Sequence, residues 1–480
     1  TNRMAHVFVN LGLKKGERVL LRLPNGPEFP VNFLGAVKMG AIPVPISPLF
    51  TWKELRYLIK DSKARCLVTT PDLTPMELLK SPDIDLSHIL WISELKSSFP
   101  ERVQRWQDLL KQAPSQFEPE KSFPEDPAYW LYTSGTTGQP KAAVHAHRSI
   151  RAHDRRARIW QDLSRGDVIF HTSYLNWSFA LTGGMLDVWR HGLTTVIVDG
   201  PLSPERISLI LRAGKVTTLM SVPGWYRRFA GYSKTKPGAF HGLRVCLSAG
   251  ENLGPKTRDE FKKYTGLDIY EALGMTENSM YLAQPFGKSP LRGSVGQSVF
   301  EGQVKILGED LKELPTGSIG ILSTHISCKG LMLGYWDGQG GLEKPWSGDW
   351  FLSGDLARMD SQGNFFFEGR RDEVLTAGGY RISPIEVEQV LNQCPPVEES
   401  AVTSVSLGEG KNIVAAFIVP RNKAQDQKSL ATELTEHARK HLAEYKIPKK
   451  ILFRSSLPKT VTGKIKHKNI VRIECFRGTL

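Results

Sequence analysis

Cysteine is scarce in this chain: five fall among 480 residues, at 66, 246, 328, 394 and 475, with no short Cys-x-x-Cys spacing. That scatter argues against a zinc site or a disulfide framework and favours a reducing compartment, where each thiol serves as a small buried apolar side chain. No window approaches the ~18 unbroken apolar residues of a membrane helix. Internal repeats, low-complexity tracts, heptad arrays, zinc-finger spacings and an aromatic RNA-binding signature are also missing. The chain opens at Thr1, inside a helical pattern over residues 2–11 and without an initiator Met, so we expect an upstream segment. With no anchor in view, a cytoplasmic location is the default expectation.

Acidic residues are the other shortage. Lys and Arg number 63 against 49 Asp and Glu, for a net charge of +14. Residues 421–480 hold fifteen of the basic side chains against five acidic ones and so supply +10 of that total. A basic lobe of this kind suits polyanions. With nucleic-acid signatures missing, nucleotide and coenzyme phosphates are the expected partners.

What is present begins with alternation. Over the first 280 residues, β-rich runs at 18–23, 66–70, 89–92, 128–133, 168–172, 195–199, 217–222 and 243–248 are interleaved with helical patterns. Helices are predicted at 28–39, 52–61, 204–213 and 255–264. Strand–helix alternation on this scale predicts an α/β fold of doubly wound layers. From about 290 to 370 short Gly-punctuated strands (303–307, 320–323, 350–352, 364–368) predict hairpins and a small β-barrel-like unit. A strand at 373–376, a helix at 384–391, strands at 401–405 and 414–419 and a helix at 428–441 then predict a small α+β domain. The boundary is set at 370/371, giving an N-terminal domain of residues 1–370 and a C-terminal domain of 371–480.

Residues 133–141 read Thr-Ser-Gly-Thr-Thr-Gly-Gln-Pro-Lys. Glycine and small hydroxyl residues let backbone N–H groups approach phosphate oxygens, and Lys141 adds a point charge. Strands lead in and out, so the loop is predicted to cap a hairpin. It is not a Walker loop, because the Gly-Lys-Ser/Thr ending is missing. Far along the chain, residues 458–465 read Pro-Lys-Thr-Val-Thr-Gly-Lys-Ile and place Lys464 on a tight turn. Two basic loops so distant imply a site assembled between two domains for chemistry at phosphate.

Further motifs follow in order: Glu-Ala-Leu-Gly-Met-Thr-Glu at 271–277, Ser-Gly-Asp-Leu at 353–356, Gly-Arg-Arg-Asp-Glu-Val at 369–374 and Gly-Gly-Tyr-Arg-Ile at 378–382. With the two loops, this set resembles the adenylate-forming, AMP-binding acyl-CoA synthetases over nearly the whole chain. The segment 350–390 is especially similar to benzoate and medium-chain enzymes of that family. The resemblance implies ATP, Mg²⁺ and CoA as co-substrates and cofactor, and a carboxylic acid as the small-molecule substrate. The acid is joined to AMP, with release of pyrophosphate, and then transferred to a thiol.

Residue roles follow from the same resemblance. Thr133, Ser134, Gly135, Thr136, Thr137, Gly138 and Lys141 would wrap the phosphates. Gly250 and Glu251, with Glu271, Ala272, Leu273, Gly274 and Met275, would line the nucleotide, Leu273 standing where the family usually has an aromatic. Thr276 would hydrogen-bond near the α-phosphate and Glu277 would hold Mg²⁺; taken alone, Glu277 reads as a helix N-terminal carboxylate. Asp355 would accept from the ribose hydroxyls with Arg370 beside it, although a lone Ser-Gly-Asp is usually a turn. Lys464 would meet the carboxylate and α-phosphate. Asp372 would be the hinge of a mobile C-terminal cap, and Gly378, Gly379, Tyr380 and Arg381 would line the pantetheine entry. Trp177 and Gly274 would bound the acyl pocket. Acetate enzymes place a large aromatic where Gly274 stands, so a deeper pocket for medium-chain or aromatic acids is expected. His145 and His147, alternating on a predicted strand, and His171 are read as structural. The alternatives are an adenylation enzyme that loads a carrier protein and a luciferase-like oxygenase.

Overall fold

The computed structural model describes residues 1–92, 102–133, 140–251, 253–371, 375–377, 380–382, 384–406, 412–422, 426–442 and 444–459, with 465, 467 and 470. The first sheet is wholly parallel, in the order β2-β1-β3-β4-β5. Its strands are β1 (Arg18–Leu21), β2 (Ile42–Pro45), β3 (Cys66–Thr69), β4 (His88–Trp91) and β5 (Val103–Arg105). Runs such as Val19, Leu20 and Leu21 are fully buried, as a parallel sheet covered on both faces requires. Helix Glu28–Lys38 sets Phe29 and Phe33 against Val19 and Leu21, while helix Trp52–Ser62 sets Leu55 and Leu58 against Leu20 on the other face. The second helix starts at a capping box. The Thr51 N–H donates to the Glu54 carboxylate (2.7 Å) and the Thr51 hydroxyl accepts from the Glu54 N–H.

β6 (Pro127–Thr133) and β7 (Lys141–Ala146) form an antiparallel pair with Thr133 opposite Lys141, so residues 134–140 do join two strands of a hairpin. A second parallel stack follows, made of β8 (Val168–His171), β9 (Thr194–Val196), β10 (Thr218–Ser221), β11 (Val245–Ala249) and β12 (Ile269–Met275), in the order β9-β8-β10-β11-β12. β13 (Ser279–Ala283) then turns back antiparallel on β12. Beyond it come β14 (Ser294–Ser298), β15 (Val304–Leu307) and β16 (Gly320–His325). β17 (Gly334–Trp336) and β18 (Leu342–Glu343) follow, then β19 (Trp346–Ser347), β20 (Trp350–Met359) and β21 (Phe365–Arg370). The expected hairpins are there, but they do not stand apart as a barrel. β14 pairs with β13 on one edge and β21 on the other, which fuses them to the parallel stack. β17 instead adds to the edge of β7.

The small C-terminal domain holds a hairpin of β22 (Leu375–Ala377) and β23 (Tyr380–Ile382), helix Pro384–Leu391, and β24 (Val397–Ser406) antiparallel to β25 (Asn412–Pro420). β26 (Lys450–Phe453) runs parallel to β25, and helix Gln427–His441 is capped by Asp426. The four described cysteines are buried thiols. Among the described residues no helix is long and apolar enough to cross a membrane.

A buried ion pair braces the large domain behind β13. Arg156 and Asp187 have side chains only 0% and 1% exposed, and their Nη2 and Oδ2 atoms lie 2.5 Å apart. Burial pushes the Asp187 carboxyl up, yet Arg156, with help from His153, holds it below the ordinary value. Arg156 Nη1 also donates to Ser279 Oγ (2.8 Å), and Thr182 Oγ1 lies 2.7 Å from the same oxygen. Ser279 has φ of 52°, uncommon for a residue with a side chain, so these bonds hold a left-handed position at the start of β13. Thr182 belongs to a buried π-helix, Phe179–Leu186, that no sequence pattern announced. Arg156→Met leaves Asp187 buried without its cation and should lower the stability of the large domain by about 3–5 kcal/mol in a urea titration. Adding Asp187→Leu should restore much of that loss. A single-variant loss below about 1 kcal/mol would contradict this role for the pair.

Candidate active site

The segment 271–277 does not follow a strand; it is β12 and the turn that ends it. Glu277 therefore sits on a hairpin turn, not at a helix N-terminus. The pairing slips between Leu273 and Gly274, and a Cβ on Gly274 would fall 2.6 Å from the Ser279 carbonyl oxygen and 3.0 Å from Met280 Cα. Glycine is required there because β13 approaches so closely. Its missing side chain is filled by backbone and opens no space, which corrects the expectation that Gly274 deepens an acyl pocket.

The Thr276 carbonyl accepts from His145 Nε2 at 2.9 Å, and the imidazole stacks on Tyr129 with ring centres 4.8 Å apart. Burial lowers His145 to about 3, so the ring is neutral with its proton on Nε2. It props the turn from beneath. His147 is not on the strand with it; it opens helix His147–Ala152, so the two do not share a strand face. His171 is buried and also lowered to about 3 by burial, its Nδ1 accepting from the Ser173 N–H (2.9 Å).

β17 carries a residue that the sequence did not single out. Tyr335 lies opposite Ala143 of β7 on one side and Glu343 of β18 on the other. Its hydroxyl donates to Glu277 Oε1 at 2.6 Å. Burial first, and then Glu277, pushes the phenol far up, so it stays protonated as a donor. Lys141 Nζ lies 5.4 Å from the Tyr335 ring centre and 3.0 Å from Glu343 Oε2. The contact of Tyr335 with Glu277 spans 58 residues and depends on β17 joining β7, which no local pattern reveals.

β20 and β21 set Asp355 directly opposite Arg370, with Oδ1 2.8 Å from Nη1. The resemblance implied that Arg370 stands beside Asp355, as it does here. Tyr281 on β13 is buried: burial, then Asp355, and further Glu277, push its phenol well up, while Arg370 opposes. Arg370 also acts on Tyr335. On the other side, Gly250 has φ of 97°, and a Cβ there would sit 2.8 Å from Trp177 Cη2. The indole therefore lies over the backbone at Gly250, beside Glu251, joining two segments the sequence assigned to different parts of the site.

Glu271 behaves differently. Its carboxylate is buried and taken by Arg258 and by the Leu253 N–H (3.0 Å). It therefore faces helix Pro255–Thr265, and Ala272 lies in the core. Leu273 and Met275 pack partly buried against the same core. Ser134, Gly135, Thr136, Thr137, Gly138, Asp372, Gly378, Gly379 and Lys464 lie outside the described residues. Tyr380 and Arg381 are placed by backbone in β23, opposite Ala377 and Thr376. Among the described residues no three His, Cys, Asp or Glu side chains gather around one point. A single carboxylate on a turn fits Mg²⁺, which keeps waters and phosphate oxygens as its other ligands.

Comparison with known proteins agrees with this layout. Residues 1–336 match the AMP-binding enzyme family model, and residues 386–464 match the AMP-binding enzyme C-terminal domain. The mitochondrial acyl-coenzyme A synthetase ACSM1 of Mus musculus is 34% identical over 482 residues, covering 98% of this chain and 83% of the relative. The crystal structure of the anthranilate CoA ligase AuaEII with anthranoyl-AMP superposes at a TM-score of 0.89 with 29% identity, over 100% of this chain and 91% of that one. A benzoate CoA ligase from Burkholderia xenovorans LB400 does so at 0.85 with 27% identity, over 98% and 92%. The chain belongs to the AMP-binding acyl-coenzyme A synthetase family.

Proposed function

We propose that the chain joins a medium-chain or aromatic carboxylic acid to coenzyme A in two steps. The carboxylate attacks the α-phosphorus of ATP, giving acyl-AMP and pyrophosphate; the thiol of CoA then displaces AMP. The observation that carries this reading is the pairing of Glu277 with Tyr335 and of Asp355 with Arg370, with Lys141 beside Tyr335. A carboxylate is a poor acyl donor, and its activation at phosphorus needs position and charge neutralisation more than covalent help. Asp355 has acceptor oxygens suited to the ribose hydroxyls, oriented by Arg370. Lys141, with the hydroxyls and backbone of 133–138, takes the outer phosphates. Glu277 would hold Mg²⁺, which neutralises phosphate charge when bound.

An aromatic or extended acyl group suits a wall formed by the Trp177 indole. Gly274, filled by backbone, plays no part in this preference. Lys464 would neutralise charge at the α-phosphate during the first step, and the cap of residues 371–480 would then turn about Asp372 to bring Gly378, Gly379, Tyr380 and Arg381 to the thiol. Two contacts support a pivot at that place. Arg371 is fastened to the large domain through Glu309 (2.6 Å) and the Gly354 carbonyl (2.8 Å), whereas Leu375 already packs in the core of the small one. Transfer to a carrier protein, or oxygenation as in luciferases, are the competing outcomes.

Lys464→Ala should slow pyrophosphate-forming adenylation by about 100-fold or more while thioester formation from supplied acyl-adenylate persists. Equal loss of both half-reactions would contradict its role. Asp355→Ala should raise the KM for ATP by about 10-fold or more and leave the KM for the acid unchanged, read from initial rates. An unchanged KM for ATP would remove Asp355 from the ribose site.

A further inference from the structure

Glu277 is a long side chain on a partly exposed turn. Holding such a side chain in one rotamer costs conformational entropy. A carboxylate that must meet a metal gains if that cost is met before the metal arrives, and partners of metal ligands commonly do this. Tyr335 is built for the task. Its strand is bonded on both edges, to β7 and to β18. Three residues before it, the Met332 N–H donates to the backbone carbonyl of Glu277 itself (2.8 Å), and the Leu333 N–H to that of Val144 (2.7 Å). One residue after it, Trp336 Nε1 donates to the Asp61 carbonyl (2.7 Å) and its ring packs on Trp130. The segment 332–336 is thus stitched to the turn of Glu277 and to the strand of Lys141. Among the described residues the Tyr335 hydroxyl is the only hydrogen-bond donor found on the Glu277 carboxylate.

We propose that Tyr335 is a positioning residue for divalent-metal nucleotide binding: its hydroxyl holds Oε1 of Glu277 so that the carboxylate is set for the cation, while its ring backs Lys141 at the phosphates. The proposal rests on Glu277 being the metal ligand. Short strand β17 therefore does more than complete a sheet, since it fixes the metal-facing carboxylate and the phosphate-facing ammonium relative to each other.

The test is calorimetric titration of Mn²⁺–ATP, and of ATP with EDTA, into the whole protein without acid or CoA. Tyr335→Phe keeps the ring and removes only the hydroxyl. It should weaken Mn²⁺–ATP binding about 10-fold and leave metal-free ATP binding as in the parent. Glu277→Gln should weaken Mn²⁺–ATP binding at least as much, and the double variant should be no weaker than Glu277→Gln alone. If Tyr335→Phe binds Mn²⁺–ATP like the parent while Glu277→Gln does not, Tyr335 has no positioning role and Glu277 keeps its own. Equal weakening with and without metal would also overturn the proposal. If Glu277→Gln binds Mn²⁺–ATP normally, the metal reading of Glu277 falls and the proposal with it.

Discussion

The proposed reaction brings a negatively charged acid against a more negatively charged nucleotide, and the site proposed for it depends on one braced hairpin turn. Residues 276–278 are held from beneath by the neutral imidazole of His145 and from the side by Tyr335. The adjoining left-handed Ser279 is fixed by Arg156. Each support is buried or half-buried, and each would be costly to break. The turn is consequently a poor place for flexibility and a good one for a carboxylate that must not wander.

The supports come from two neighbouring strands of one sheet and from one helix. His145 lies on β7 of the β6–β7 hairpin, Tyr335 on the strand added to its edge, and Arg156 on a helix whose partner Asp187 follows the π-helix. Parallel strands β8 to β12 carry their carboxyl ends towards this region, the usual location of ligands in open α/β sheets. The antiparallel ladder from β13 to β21 then brings Asp355 and Arg370 round to the same place. Fusion of the hairpins to the parallel stack is therefore what joins the strand pair that carries Asp355 and Arg370 to the sheet that ends at Glu277.

Much of this was legible in the sequence because its signals are local. The helical patterns at 52–61 and 204–213 and the apolar runs of the parallel strands each announce their element within a few residues. The nearness of Asp355 and Arg370 follows from the short strands predicted on either side of them. Long-range geometry was not legible. The role of Gly274 was misjudged because a bulge, invisible in composition, turns its Cα towards the neighbouring strand. The Glu271 carboxylate was credited to the nucleotide although strand alternation aims it at Arg258. Tyr335 and the π-helix escaped notice altogether, since one acts across a sheet edge and the other has no periodicity of its own.

Formation of an acyl-adenylate in this cleft is the central claim. Its most direct measurement is exchange of labelled pyrophosphate into ATP by the purified protein, offered Mg²⁺ and a broad panel of carboxylic acids without CoA. Exchange that depends on particular acids, strongest among medium-chain or aromatic ones, is the predicted result. No acid-dependent exchange across the whole panel would contradict it.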